Sequence, residues 1–251
     1  GAGALLLAVV SASQDVMVDA YRTDLMPEQE RGAGAAAGAL GYRAAMLAVG
    51  AGGFVLAGHL GWPAAFLGSG ALVAAVLPIT LSAPALAPLS QPPRSLREAF
   101  VGPAREFLRR TGGRRAVLLL VLVMLYRWPD GLLNVMAVPF MLKAGFSADV
   151  IGAVNGGWGI AATMAGTAAG GLLFKPLGLN RSLWVFGIIG ALTNLAYWAL
   201  ARFGGGLQGL ILTVSIEHFA HGMVTAAFLA LLMSLCNPRF SATQYALLSG
   251  V

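Results

Sequence analysis

The sequence predicts a polytopic all-α integral membrane protein, and three observations lead there. Of its 251 residues 58% are hydrophobic and only 10% are charged, whereas roughly a quarter of a soluble domain is charged. The mean hydropathy is +0.78. The apolar residues gather in runs of about 17 to 25, the length that crosses a bilayer, and the basic residues lie in the gaps between those runs.

The runs fall at about 2–20, 33–56, 64–82, 116–142, 150–174, 182–201 and 207–235, giving seven spans, and YALLSGV at the end opens an eighth. The first begins GAGALLLAVV, without an initiator Met and without the basic stretch that heads a signal peptide. With the unfinished run at the far end, this leads to the expectation of an internal fragment of a longer protein. The second, GAGAAAGALGYRAAMLAVGAGG, is too rich in glycine for a good soluble helix. In lipid, small residues let helices pack closely. The third is uniformly apolar. The fourth contains YRWPDG, the fifth VNGGWG, the sixth Asn194 and the seventh SIEHFAHG. Trp62 and Trp184, near span ends, read as interface anchors. Cys236 is the single cysteine, which excludes an intrachain disulfide and a cysteine-based metal site.

A net charge of +6 would by itself suit nucleic acid, but placement argues otherwise. Basic residues are retained on the cytoplasmic side of membrane proteins. The first, third, fifth and seventh connections, with the adjoining Arg43, hold thirteen of the sixteen: Arg22, Arg31 and Arg43, then seven arginines from Arg94 to Arg115, then Lys175 and Arg181, then Arg239. Lys143 and Arg202 are on the other side, and Arg127 is inside a span. The odd connections are therefore expected in the cytoplasm, with the first span running inwards. No nucleic-acid partner is expected. The long connection 83–115 is rich in proline and then strongly basic, as a linker between two helical halves would be. Its segment LREAFVGPAREFLRR either lies on the anionic inner leaflet or is a solvated loop.

An ionisable group near the bilayer centre costs about 2.5–3.5 kcal/mol on insertion scales, so one that persists usually faces a cavity or a partner. Asp15, Asp19 and Arg22 share one helical face, within reach of a network with Arg43 of the next helix; the alternative is a structural clamp. Arg127, Asp130 and Asn134 follow one another around Pro129, which removes a backbone hydrogen bond. That suits substrate contact or gating, and also a structural ion pair. Glu217, His218 and His221 lack the order of the helical zinc motif, so no metal is expected. A carboxyl such as Glu217 can load and release protons when it lines a cavity. Asn155 and Asn194 fit interhelical hydrogen bonding equally well.

SASQDVMVDAYRTDLMPEQERGAGAAAGALGYR, YRWPDG, VNGGWG, GGLLFKPLGLNRSLWVFG and LLMSLCNPRFSATQYALLS resemble, in that order, the AmpG family of muropeptide permeases within the major facilitator superfamily. The similarity runs through essentially the whole chain. It implies a major facilitator helical bundle of two pseudo-repeat halves, here incomplete. Residues 1–82 would supply the last three helices of the N-terminal half (family helices 4–6), 83–115 the cytoplasmic linker, and 116–251 family helices 7–10 with the start of 11. It further implies a monomeric, multi-pass protein of the bacterial inner membrane that imports anhydromuropeptides with protons. Such import serves cell-wall recycling and bears on β-lactamase induction. No cofactor is implied. Residues carried over by the resemblance are Gln14, Asp15, Asp19, Tyr42, Arg43, Asp130, Asn155 and Glu217. Arg127 matches a basic position, WP before Asp130 departs from the family pattern, and His218 and His221 lie outside it. Drug efflux or transport of an acyl-coenzyme A is the competing reading on the same scaffold. A membrane enzyme would need a nucleophile with its base, or a metal set, which this sequence does not offer.

Overall fold

The computed structural model describes residues 2–85 and 95–250, so Pro88, Pro92, Pro93 and Arg94 of the expected linker lie outside the described residues. All regular structure among the described residues is helical: α1 (Ala2–Leu25), α2 (Arg31–Leu60), α3 (Trp62–Leu81), α4 (Leu96–Thr111), α5 (Gly113–Lys143), α6 (Ala148–Ala153), α7 (Ile160–Thr193), α8 (Leu195–Phe203), α9 (Gly206–Leu235) and α10 (Ser241–Ser249). A 3₁₀ turn, Glu28–Glu30, precedes α2, and a π-helical segment, Val154–Gly159, joins α6 to α7.

Among the described residues six stretches are long and apolar enough to cross a membrane, one of them the 56 residues Ala148–Phe203. At 1.5 Å per residue that stretch would be roughly 84 Å long if straight, against a hydrocarbon core of about 30 Å. It is divided at Gly178, whose φ of 72° and ψ of 171° are not helical. Only glycine takes such a conformation without steric penalty. The division yields two crossings, 148–177 and 179–203, and so the seven spans that hydropathy predicts. The helices overrun the predicted spans, as where α1 continues to Leu25, because backbone groups near the interface still need partners that a helix supplies.

The chain forms two compact units, one of residues 37–88 and the other of 1–36 with 89–251. In the larger unit α1 meets α10 through Arg22 and Tyr245, and the first turns of α2 lie on α7, where a Cβ on Gly171 would strike Ala36. In the smaller unit, α2 turns into α3 at Gly61, and Trp62 sits edge-on to Phe54 at 5.8 Å and tilted to Phe66 at 6.1 Å.

The larger unit is built around α9, the most buried of the long helices. It touches α7 backbone to backbone: a Cβ on Gly166 would meet the carbonyl of Phe219, and one on Gly222 the carbonyl of Thr163. Lipid supplies no hydrophobic drive for helix association, so close approach through small residues takes that role. Thr163 and Thr167, both buried at this contact, donate to the carbonyls of Gly159 and Thr163 at 2.8 Å each, so both hydroxyls are satisfied.

Candidate functional site

A cavity of about 530 Å³ opens between α5, the second half of α7 and α9. Its walls are apolar except for a few polar groups, chiefly Asp130 from α5, Asn180 and Asn194 beside α7, and Glu217 and His221 from α9. Two contacts fix the walls. The Tyr126 hydroxyl donates to the carbonyl of Leu183 at 3.2 Å, and its ring stacks on Phe228 at 5.9 Å with 7° between planes. Tyr126 thereby ties α5 to both other helices, and Asp130 follows one turn later on the same face.

Asp130 has two partners. Its Oδ2 is 3.3 Å from Arg127 Nη1 and its Oδ1 is 3.4 Å from His221 Nδ1. The Arg127 guanidinium also lies over the Phe228 ring, 5.4 Å from its centroid. One turn back on α9, Glu217 is buried at 8% exposure, and its Oε2 is 2.6 Å from His218 Nδ1. That approach is at an angle that makes no hydrogen bond, so the buried His218 Nδ1 has no hydrogen-bond partner among the described residues. Each carboxylate thus has its own imidazole, and Glu217 and His221, four residues apart, share one face of α9.

The helix backbones are irregular around this cluster. α5 runs unbroken through Pro129, where the expected interruption is confined to the missing N–H. Asn194 separates α7 from α8, bridged by a tighter turn in which Tyr197 N–H donates to its carbonyl at 3.2 Å. The π-helical VNGGWG segment backs onto His218, where a Cβ on Gly159 would come within 2.8 Å of the imidazole. Single π turns are frequent at functional sites.

Of the residues singled out by sequence, Asp130 and Glu217 line the cavity and Arg127 joins them through Asp130. Asn134 is exposed, and Asn155 is half-buried in the π-helical segment; neither is among the cavity's lining residues. On α1, Gln14 and Asp15 are exposed, whereas Asp19 accepts from Arg22 Nη2 at 2.6 Å. Arg22 reaches on to the Tyr245 hydroxyl at 3.4 Å, and Ser241 donates to Asp24 at 2.8 Å. Tyr42 is exposed and Arg43 half-buried in the smaller unit. Sequence reasoning set His221 aside; its spacing of four from Glu217 was the available signal. It read Trp184 as an interface anchor, and Trp184 lines the cavity.

Sequence reasoning also missed a polar cluster at one end of the bundle. Glu106 of α4 accepts from Asn237 Nδ2 at 2.8 Å and from Gln244 Nε2 at 2.7 Å, and pairs with Arg110 Nε at 3.1 Å. Gln244 also donates to the Pro103 carbonyl at 3.0 Å and accepts from Asn237 N–H at 2.7 Å, and Arg110 donates to the Leu235 carbonyl at 2.6 Å. Burial alone would raise the Glu106 pKa, but the hydrogen bonds from Asn237 and Gln244 and the charge of Arg110 outweigh it and hold the carboxyl below its ordinary value. The latch joins α4 to the end of α9 and to α10.

A bundle of long apolar helices with Asp130, Glu217 and His221 on the wall of one cavity is that of a polytopic membrane transporter. The Major Facilitator Superfamily profile matches residues 2–251, and the chain belongs to that superfamily. It is similar to the anhydromuropeptide permeases of Escherichia coli K12 and O157:H7, with 40% identity over 250 residues, which is 99% of this chain and 50% of each permease. It is also similar to an uncharacterised protein of Haemophilus influenzae, at 31% over 258 residues and 60% of that protein. The chain thus spans about half the length of the permeases it matches. With its apolar helices, this kinship makes it a multi-pass protein of the bacterial inner membrane.

Proposed function

We propose that this chain belongs to a proton-coupled permease that imports anhydromuropeptides by alternating access. The observation that carries the proton-coupled reading is the buried Glu217 facing the same cavity as Asp130; the similarity to the two permeases supports the cargo. With both histidines neutral, Arg127, Asp130 and Glu217 sum to one negative charge, and a single added proton brings the cluster to zero. An uncompensated charge is expensive in the membrane interior, so protonation favours any movement that closes the cavity to water. A potential of 100 mV contributes about 2.3 kcal/mol per charge moved, enough to drive a coupled step.

In this reading residues 1–82 belong to the N-terminal half, 83–115 to a cytoplasmic linker and 116–251 to the C-terminal half, and the two halves rock around the central site. Gln14, Asp15, Asp19, Tyr42, Arg43, Asn134 and Asn155 contribute further along the same pathway. The protein acts as a monomer, and its cargo enters peptidoglycan recycling, through which it bears on β-lactamase induction.

The test is uptake of a labelled anhydromuropeptide into vesicles holding the complete protein. Glu217→Gln or Asp130→Asn removes the response to an imposed proton gradient while leaving exchange of cargo without a gradient measurable. Wild-type, gradient-driven uptake in both variants would refute the assignment. Failure of anhydro-sugar peptides to compete for uptake would refute the cargo.

A further inference from the structure

Away from the cavity, α4 carries three distinct surfaces. One faces the bundle: Pro103 and Phe107 are buried, and Glu106 is latched to Asn237 and Gln244. Next to it, at about 100° per residue, lies an unpartnered apolar sector of Phe100, Val101 and Leu108, exposed at 57%, 52% and 46%. Beyond that sector Arg105 and Arg109 are exposed. Between residues 95 and 115 there are six arginines against two glutamates, a local excess of four positive charges.

The position of this helix selects its partner. α4 ends at Thr111 and the α5 crossing starts at Gly113, so only Gly112 separates the basic last turn from a membrane span. Arg109 and Arg110 are therefore held at headgroup level by the chain itself. A helix with an apolar sector flanked by arginines at that level buries the first in the acyl boundary and sets the second on phosphates. A nucleic acid would use the charge and leave the apolar sector in water. The competing occupant is protein outside this chain, which spans about half of each matched permease, and the quenching experiment separates it from lipid.

We propose that α4 is a docking surface for anionic phospholipid headgroups of the leaflet at its own end of the bundle. Phe100, Val101 and Leu108 enter the acyl boundary, and Arg105 and Arg109 bind the phosphates. The Glu106 latch then transmits this mooring to α9 and α10, which it ties to α4.

The complete protein, carrying Phe100→Trp, is reconstituted into phosphatidylcholine vesicles with increasing fractions of brominated phosphatidylglycerol, or with brominated phosphatidylcholine as comparison. The quenching added by the new indole, over that of the same protein without it, measures lipid at this face. With the protein's other native tryptophans replaced by phenylalanine, quenching of Trp198 within its crossing reports correct insertion. Quenching at position 100 is expected to saturate at a lower fraction of brominated phosphatidylglycerol than of brominated phosphatidylcholine. Arg105→Gln with Arg109→Gln weakens the phosphatidylglycerol preference about 25-fold, or about fivefold per arginine, from ~1 kcal/mol per basic residue near an anionic surface. Molar salt weakens it in the same direction. Equal quenching by the two lipids would overturn the headgroup assignment. No quenching at position 100, with Trp198 quenched normally, would show that protein covers this face and would overturn the proposal outright.

Discussion

Replacing Glu106 with alanine should loosen the junction between α4, α9 and α10 without touching the cavity. The carboxylate accepts from two neutral amides at 2.8 and 2.7 Å and from Arg110 at 3.1 Å. A hydrogen bond to a charged group contributes about 1.5–3 kcal/mol to stability, while an ion pair as exposed as this one, with Arg110 at 41%, adds little. Gln244 is almost wholly buried and keeps its bond to Pro103, so one of its amide hydrogens loses its partner without water to replace it. The expected loss is about 2 kcal/mol, or roughly 30-fold in the population of the open junction. Cys236 offers the readout. It is buried next to Asn237, its thiol donates to the Leu232 carbonyl at 3.2 Å, and burial pushes its pKa up to about 12. Modification of Cys236 by a thiol reagent in the complete protein, followed by mass spectrometry of its peptide, should speed up about 30-fold in Glu106→Ala, at ~1.4 kcal/mol per tenfold. The pH dependence has a definite sign. Because the folded pKa lies below the ordinary 4.5, the Glu106 contribution is fully present above about pH 4.5 and is lost as pH falls through the folded value. The variant should lack that acid-side loss. Unchanged labelling of Cys236 in Glu106→Ala would refute the latch.

Substitutions at Gly222, Tyr126 and Gly178, with Gly41 as a control, probe the fold, each read by chemical unfolding of the complete protein in detergent. Gly222→Ala places a methyl against the Thr163 carbonyl and the Thr167 amide and should destabilise by about 1–3 kcal/mol through overpacking; Gly41→Ala, which meets open space, should be near neutral. Tyr126→Phe keeps the stack on Phe228 and loses only the bond to Leu183, a loss of about 1 kcal/mol, whereas Tyr126→Ala should lose about 3 kcal/mol or more with the ring. Gly178→Ala forces a Cβ into a left-handed φ of 72° and should lose about 1–2 kcal/mol; a neutral result would mean that this break relaxes elsewhere.

Span number and approximate limits were legible because hydropathy is a property of each segment alone, and the basic residues punctuated the runs. Gly178 was the exception in detail: nothing in GGLLFKPLGLNRS fixes which residue turns the chain, although Pro176 and Gly178 together restrict the choice. Asp130 and Glu217 were legible as expensive groups in apolar runs. Their partners were only half legible. Arg127 is three residues from Asp130, a spacing that a helix converts into contact, but His221 is on another helix and reaches Asp130 only through the α5–α9 packing. The Glu106 cluster was hidden for the same reason, since Asn237 and Gln244 lie 131 and 138 residues away in the chain. A basic amphipathic stretch gives no hint that Glu106 within it has amide partners there.

The irregular pieces of backbone explain why these polar groups occur together. In a bilayer an unpaired carbonyl or a non-α turn persists only where protein buries it or a cavity receives it. Pro129 cannot donate to the carbonyl of Leu125, and both residues line the cavity. Asn194 breaks the helix on the same wall, and the π turn ending at Gly159 leaves room for His218 beside Glu217. Each irregularity would be a liability on a lipid-facing surface, and each adjoins the cluster of Asp130, Glu217 and the two imidazoles. Pro129, Asp130 and Asn194, which the sequence presents as unrelated oddities in two spans, therefore meet on one cavity wall, and VNGGWG adjoins it through Gly159 and His218. In the proton-coupled reading proposed above, Asp130 and Glu217 thus share a cavity wall with the irregular backbone at Pro129 and Asn194.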